Sequence, residues 1–190
     1  MRRFLAVLLV CIMPFLSCRT RAVREYEDPG RITFLDLRFN DADLKKFADE
    51  MTRSILKHLE KHPIQGKPVI MVGKIDNRTD EHIHMRAITD QIITGLLKTG
   101  KVVVVDKTAR EVLPKEYEYQ RSKYVDPKSA KRPGKQIAPG YLLRGQIWSD
   151  IHEDSKLTVK YVRITLRLTD ILTNTILWQD QSELRKLERR

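Results

Sequence analysis

Leu157-Thr-Val-Lys-Tyr-Val-Arg-Ile-Thr-Leu-Arg-Leu-Thr-Asp-Ile171 alternates with a period of two. Val162, Ile164, Leu166 and Leu168 point one way and Arg163, Thr165, Arg167 and Thr169 the other, as successive side chains do on a strand. One side is apolar and one polar, so the stretch predicts a strand with one face on a core and one in water. Leu142–Ile151 pairs with it as a hairpin across His152-Glu-Asp-Ser-Lys156. Beyond Ile171 a turn at Thr173-Asn174 leads to a further strand, Thr175 to Gln181, with Ile176, Leu177 and Trp178. The C-terminal third therefore reads as a β-meander.

Upstream the period changes. Asn40 or Asp41 can cap a helix running to about Lys61, where Pro63 stops it. Leu44, Phe47, Ala48, Met51, Ile55 and Leu59 share one face at helical spacing. Val69 to Ile75 is nearly all apolar and suits a buried central strand, followed by a polar loop, Asp76-Asn-Arg-Thr-Asp80. A second helix is expected over Ile83–Thr99, with Ala87, Ile88, Ile92, Leu96 and Leu97 inward and Gly100 at its end. Val102–Val105 reads as a buried strand. Lys107–Tyr124 reads as partly helical, interrupted near Pro114, and residues 125–140, with Pro127, Pro133 and Pro139, as irregular with one or two helical turns. Alternating strands and helices followed by a meander predict an α/β (α+β) fold with a mixed sheet flanked by helices. There is no internal repeat.

The N-terminus carries a different signal. Arg2 and Arg3 precede an apolar run, Phe4 to Leu16, which ends in Leu16-Ser17-Cys18. A charged start, an apolar stretch and a small residue before the cut make a secretory signal. The run is shorter than the roughly 20 residues a spanning helix needs. Leu-Ser-Cys resembles a bacterial lipobox, with Cys18 as the acylated residue; an ordinary cleaved signal is the alternative. The expected organisation is a signal peptide over 1–17, a lipidated Cys18 with a tether to residue 30, and one periplasmic domain over 31–190. Arg19 to Gly30 reaches about 40 Å at full extension. Cys11 and Cys18 are the only cysteines, so the domain has no internal disulfide and its core must hold it together.

The formal charge of +11 falls to +9 once Arg2 and Arg3 are removed. A basic exported domain suits anionic partners such as headgroups, acidic wall polymers or an acidic protein face. Export argues against a nucleic-acid role. No phosphate loop, dinucleotide fingerprint, nucleophile elbow or zinc-protease helix is present. His58 and His62 share a helix face, and His82 and His84 lie beside Asp80 and Glu81, but neither pair has a third ligand at a suitable spacing. Asn77-Arg78-Thr79 forms a polar turn after the central strand. Arg144, Arg163 and Arg167 converge on the open side of the predicted sheet, where guanidiniums suit the carboxylates of a partner; an ordinary solvated sheet face is the alternative.

Four stretches together resemble the penicillin-binding-protein activator lipoproteins, the LpoB family: Val69-Ile-Met-Val-Gly-Lys-Ile-Asp-Asn-Arg-Thr-Asp-Glu-His-Ile83, Ile88 through Asp106, Gly140-Tyr-Leu-Leu-Arg-Gly-Gln-Ile147, and Ile164 through Trp178 with Glu183-Leu-Arg-Lys186. The resemblance implies a mixed sheet similar to the N-terminal domain of TolB-like proteins, with no catalytic residue, metal or cofactor. It implies an outer-membrane lipoprotein whose domain binds and stimulates a bifunctional peptidoglycan synthase; the candidate contacts, Asn77, Arg78, Arg144, Arg163 and Arg167, come from the residue pattern and not from the resemblance. Arg19 after the cysteine agrees with the outer membrane. The alternative is an envelope assembly lipoprotein related to the curli-secretion channel family.

Overall fold

A computed structural model describes residues 36–190. The signal peptide, Cys18, the tether and all but the last residue of the extended segment expected over Arg31–Asp36 lie outside the described residues. The elements are α1 (Asp41–Lys61), β1 (Val69–Arg78), α2 (Met85–Lys98), β2 (Val103–Val105), α3 (Ala109–Gln120), β3 (Tyr141–Glu153), β4 (Leu157–Asp170) and β5 (Ile176–Arg189). They make one mixed sheet in the order β2-β1-β3-β4-β5. β2, β1 and β3 run parallel, and β3, β4 and β5 form the antiparallel meander. The α/β (α+β) class with a mixed sheet holds.

Asn40 starts α1 through a capping box: its side chain accepts from the Asp43 N–H, and the Asp43 carboxylate accepts from the Asn40 N–H. α1 lies along β5, α2 lies over β1 and β2, and the two helices pack on each other. Phe47, Met51 and Ile55 of α1 and Ile88, Ile92 and Leu96 of α2 meet Ile70, Ile75, Leu143, Ile147, Ile164 and Leu166 of the sheet in one core.

One glycine makes the meander possible. A Cβ on Gly145 of β3 would stand 2.1 Å from the Thr165 carbonyl oxygen and 2.5 Å from Leu166 Cδ2. The nearest atom belongs to the backbone of β4 and cannot swing away.

The structure corrects several expectations. β1 runs on through Asp76 and Asn77 to Arg78, because β3 offers ladder partners as far as Trp148. β2 is a half-buried edge, since the sheet ends there. Ala87 and Leu97 are exposed because they lie on opposite flanks of α2, off the line of Ile88, Ile92 and Leu96 that meets the core. Pro114 does not interrupt α3. It removes one N–H from an exposed helix, where water can take the place of the lost bond. Residues 125–140 are irregular, as expected, with one isolated helical turn in which the Asp126 carbonyl accepts from the Ser129 and Ala130 N–H groups at 3.0 and 3.2 Å. β5 continues eight residues past Gln181, with Ser182 buried and Leu184 and Lys186 half-buried on the helix side.

Candidate interaction surface

With both core helices on one side, the other side of the meander is uncovered. Strand register places the arginines on it. Arg144 of β3 stands directly opposite Arg167 of β4, and Arg163 of β4 stands between Trp148 of β3 and Glu183 of β5. Arg78 pairs in register with Trp148 from the far side. All three arginines singled out in the meander thus share one face, and Arg78 joins them.

Their situations differ. Arg163 is spent within the fold: its Nη2 lies 2.5 Å from Glu183 Oε1, and its guanidinium sits 4.9 Å from the centre of the Trp148 ring. Arg185 stacks on Tyr161 in the same way, at 5.5 Å. These cross-strand pairs cover aromatic surface that no helix protects. Arg144 is exposed and Arg167 half-buried, and neither forms an ion pair among the described residues. Beside Arg144 runs the irregularity in β1 between Val72 and Ile75, from which Lys74 reaches Asp76 at 3.0 Å. The hydrogen bond from Lys74 and its charge, with the charges of Arg78 and Arg144, hold the Asp76 carboxyl below the usual carboxylate value.

Asn77 points elsewhere. Its amide donates to the Glu81 carbonyl at 2.7 Å and accepts from the Thr79 N–H and hydroxyl at 3.0 and 2.8 Å. It shapes the β1–α2 turn. The same turn carries Glu81 into a polar cluster under the start of α1. Lys160, only 2 % exposed, pairs with Glu81, which also accepts from the Phe39 N–H at 2.8 Å. Lys186 bonds the Asp43 carboxylate at 2.5 Å and the Arg38 carbonyl at 2.6 Å. Sequence reasoning missed this cluster, although the phase of the strands marks it: Lys160 falls in step with Val162 and Ile164, and Lys186 with Leu184.

A cleft of about 670 Å³, also unanticipated, opens between α2 and the β2 edge, lined by Met85, Ile93, Leu97 and Val104, with Lys74 and Arg86 at its rim. The histidine pairs sit close, 4.7 Å between ring centres for His58 and His62 and 5.2 Å for His82 and His84. Burial, and then the charge of His62, hold His58 below the usual histidine value. Among the described residues no group of three or more His, Cys, Asp or Glu could hold a metal ion, and no helix is long and apolar enough to cross a membrane.

Comparison with known proteins adds a family. The model of the family described as peptidoglycan-synthase activator LpoB matches residues 43–184. No curated protein matches the chain. Among solved structures, the chain is similar to the LpoB C-terminal domain from Escherichia coli, at 14% identity over 75% of this chain and 98% of that one, TM-score 0.47. The corresponding domain from Salmonella enterica gives 13% identity over the same shares and a TM-score of 0.46. A lipoprotein from Neisseria meningitidis gives 15% identity over 64% of this chain and 83% of that one, TM-score 0.40.

Proposed function

The chain belongs to the LpoB family of peptidoglycan-synthase activators, and from that premise we propose that it is a periplasm-facing lipoprotein, anchored in the outer membrane through Cys18, that binds a bifunctional penicillin-binding protein and stimulates it. It performs no chemistry of its own. Binding the active state of the synthase better than the resting state shifts the population toward activity. The family match across residues 43–184 carries the reading.

The uncovered sheet face supports a contact surface there. It combines arginine, tryptophan and tyrosine, the residues that dominate protein–protein hot spots. Arg144, exposed, and Arg167, half-buried, stand side by side on this face and suit a pair of carboxylates. Arg78 flanks them from the end of β1; Arg163 holds Trp148 in place, and Asn77 fixes the turn that follows Arg78.

The test is glycan-chain synthesis by the organism's purified bifunctional synthase with and without this protein. Stimulation is expected, and Arg144→Glu with Arg167→Glu should weaken binding by roughly thirty-fold or more, at about 2 kcal/mol for a hot-spot residue. Arg163 is left unchanged so that loss of its internal contacts does not cloud the result. No stimulation and no affinity would end the reading; stimulation that survives the double change would keep the function and move the contact elsewhere. Palmitate labelling that disappears in Cys18→Ala tests the anchor separately.

A further inference from the structure

The turn between β4 and β5 lies at one pole of the domain. A row of backbone hydrogen bonds marks that pole: Val103 N–H to the Pro68 carbonyl at 3.0 Å, Gly140 N–H to Val69 at 3.0 Å and Ile171 N–H to Gly140 at 2.9 Å. α1 runs toward it. Its contacts step along β5 in order, Asp43 with Lys186, Glu50 with Ser182 and Ser54 with Asp180. The last turn of α1, with Lys57 and Lys61, therefore lies beside the first residues of β5.

The turn is built to hold apolar side chains out. The Asp170 carboxylate accepts from the N–H groups of Leu172 and Thr173 at 2.8 and 3.0 Å, and Asn174 takes a left-handed φ of 56°. Leu172 is 93% exposed, and Ile171, Ile176 and Leu177 beside it are also exposed. At the same end of the domain Lys57, Lys61, Lys67 and Lys98 are exposed, and none of the four is in an ion pair among the described residues.

We infer that this pole seats on an anionic phospholipid surface, with the Leu172 turn among the acyl chains and the lysines at the headgroups. The composition separates it from the sheet face. Protein interfaces are depleted in lysine, and their hot spots favour tryptophan, tyrosine and arginine over leucine. Here the apolar groups are leucine and isoleucine and the cations are lysines, which the negative surface potential of an anionic leaflet attracts. The anchor puts the surface within reach. α1 spans about 30 Å from its capped start to this pole, and twelve residues can reach at most about 40 Å, so the stretch after an acylated Cys18 is long enough for the pole to meet the leaflet that holds its lipid. The inference rests on the membrane attachment proposed above and is independent of the synthase contact.

The test uses the full chain purified from membranes and reconstituted in vesicles of phosphatidylethanolamine and phosphatidylglycerol with brominated acyl chains, which quench an indole that enters them. Leu172 is exposed, so Leu172→Trp leaves the fold intact. The introduced indole is expected to lose most of its emission, while Trp148 and Trp178 of the unmodified protein lose little. The loss should shrink when phosphatidylcholine replaces phosphatidylglycerol, or when Lys61→Glu and Lys67→Glu are added. Protein that stays with the vesicles but shows no extra quenching at the introduced indole overturns the inference and leaves the anchor standing. An indole shielded only after purified synthase is added overturns it too, since the pole is then a protein contact. Protein that does not associate with the vesicles defeats the anchor and this inference with it.

Discussion

Strand β4 and helix α3 are nearly equal in length, fourteen residues against twelve, yet β4 buries eight of its residues and α3 buries none. β4 lies between β3 and β5 with α1 beyond, so every second side chain is committed to the core. α3 belongs to the long connection between β2 and β3, which carries exposed Val112, Tyr119 and Tyr124. The difference teaches that the two segments are ordered by different forces. Removal of apolar surface from water sets the register of β4. α3 is held by its own backbone bonds, local pairs such as Gln120 with Glu116 at 2.9 Å, and two hydrogen bonds to the exposed loop that follows, Lys131 N–H to Gln120 at 2.6 Å and Gln136 to the Tyr117 hydroxyl at 3.4 Å.

The largest effect expected from this contrast is at Lys160. It is the one charge wholly inside the face of β4 that carries the core, tied to Glu81 across the sheet end. Lys160→Ala should cost about 3 kcal/mol or more in chemical denaturation, because Glu81 is left largely buried without its partner. Pairing Lys160→Met with Glu81→Leu should restore most of the loss, since an apolar pair of similar size carries no unpaired charge. A Lys160→Ala protein as stable as the parent would mean that the pair holds nothing together.

Gly145→Ala comes next. The added methyl meets the Thr165 carbonyl oxygen and Leu166, so β3 and β4 must separate. A loss of about 1–3 kcal/mol is expected, read as a lower thermal midpoint. In α3, by contrast, Tyr119→Ala should change stability by less than about 0.5 kcal/mol. Its amides should also exchange with solvent far faster than those of β4, which open only with the whole domain. Equal protection of the two segments would break the comparison.

The same contrast explains what was legible beforehand. The buried face of β4, the apolar stripe of α1 and the hairpin at Asp154 were plain, because period and burial agree there. The length of β5 was not: past Gln181 its inward residues are Ser182, Leu184 and Lys186, and two of the three are polar. The inward lysines Lys160 and Lys186 are invisible without their partners Glu81 and Asp43, which come from 79 and more than a hundred residues away. At the sheet face the pattern placed Arg144, Arg163 and Arg167 together correctly, since strand parity alone decides that. It could not tell that Arg163 is taken up by Trp148 and Glu183, because cross-strand neighbours depend on register. Nor could it show that Asn77 closes a turn.

The smallest effect bears on that face directly. Asp76 lies in β1, and its carboxyl is held below the usual value first by the hydrogen bond and charge of Lys74, then by Arg78 and Arg144, against some opposing desolvation. A carboxyl whose folded pKa lies below its unfolded pKa stabilises the fold above the unfolded value and loses that contribution as pH falls through the folded one. Arg144→Gln removes the weakest of the named charges, so the folded midpoint should rise slightly toward the ordinary value, measured by carboxyl carbon shifts across an acid titration. Lys74→Gln should raise it more. If Arg144→Gln leaves Asp76 unmoved, the guanidinium points away from β1 and toward Arg167 alone. The contact surface proposed for the synthase would then centre on Arg144 and Arg167, with Arg78 at its margin beside Trp148.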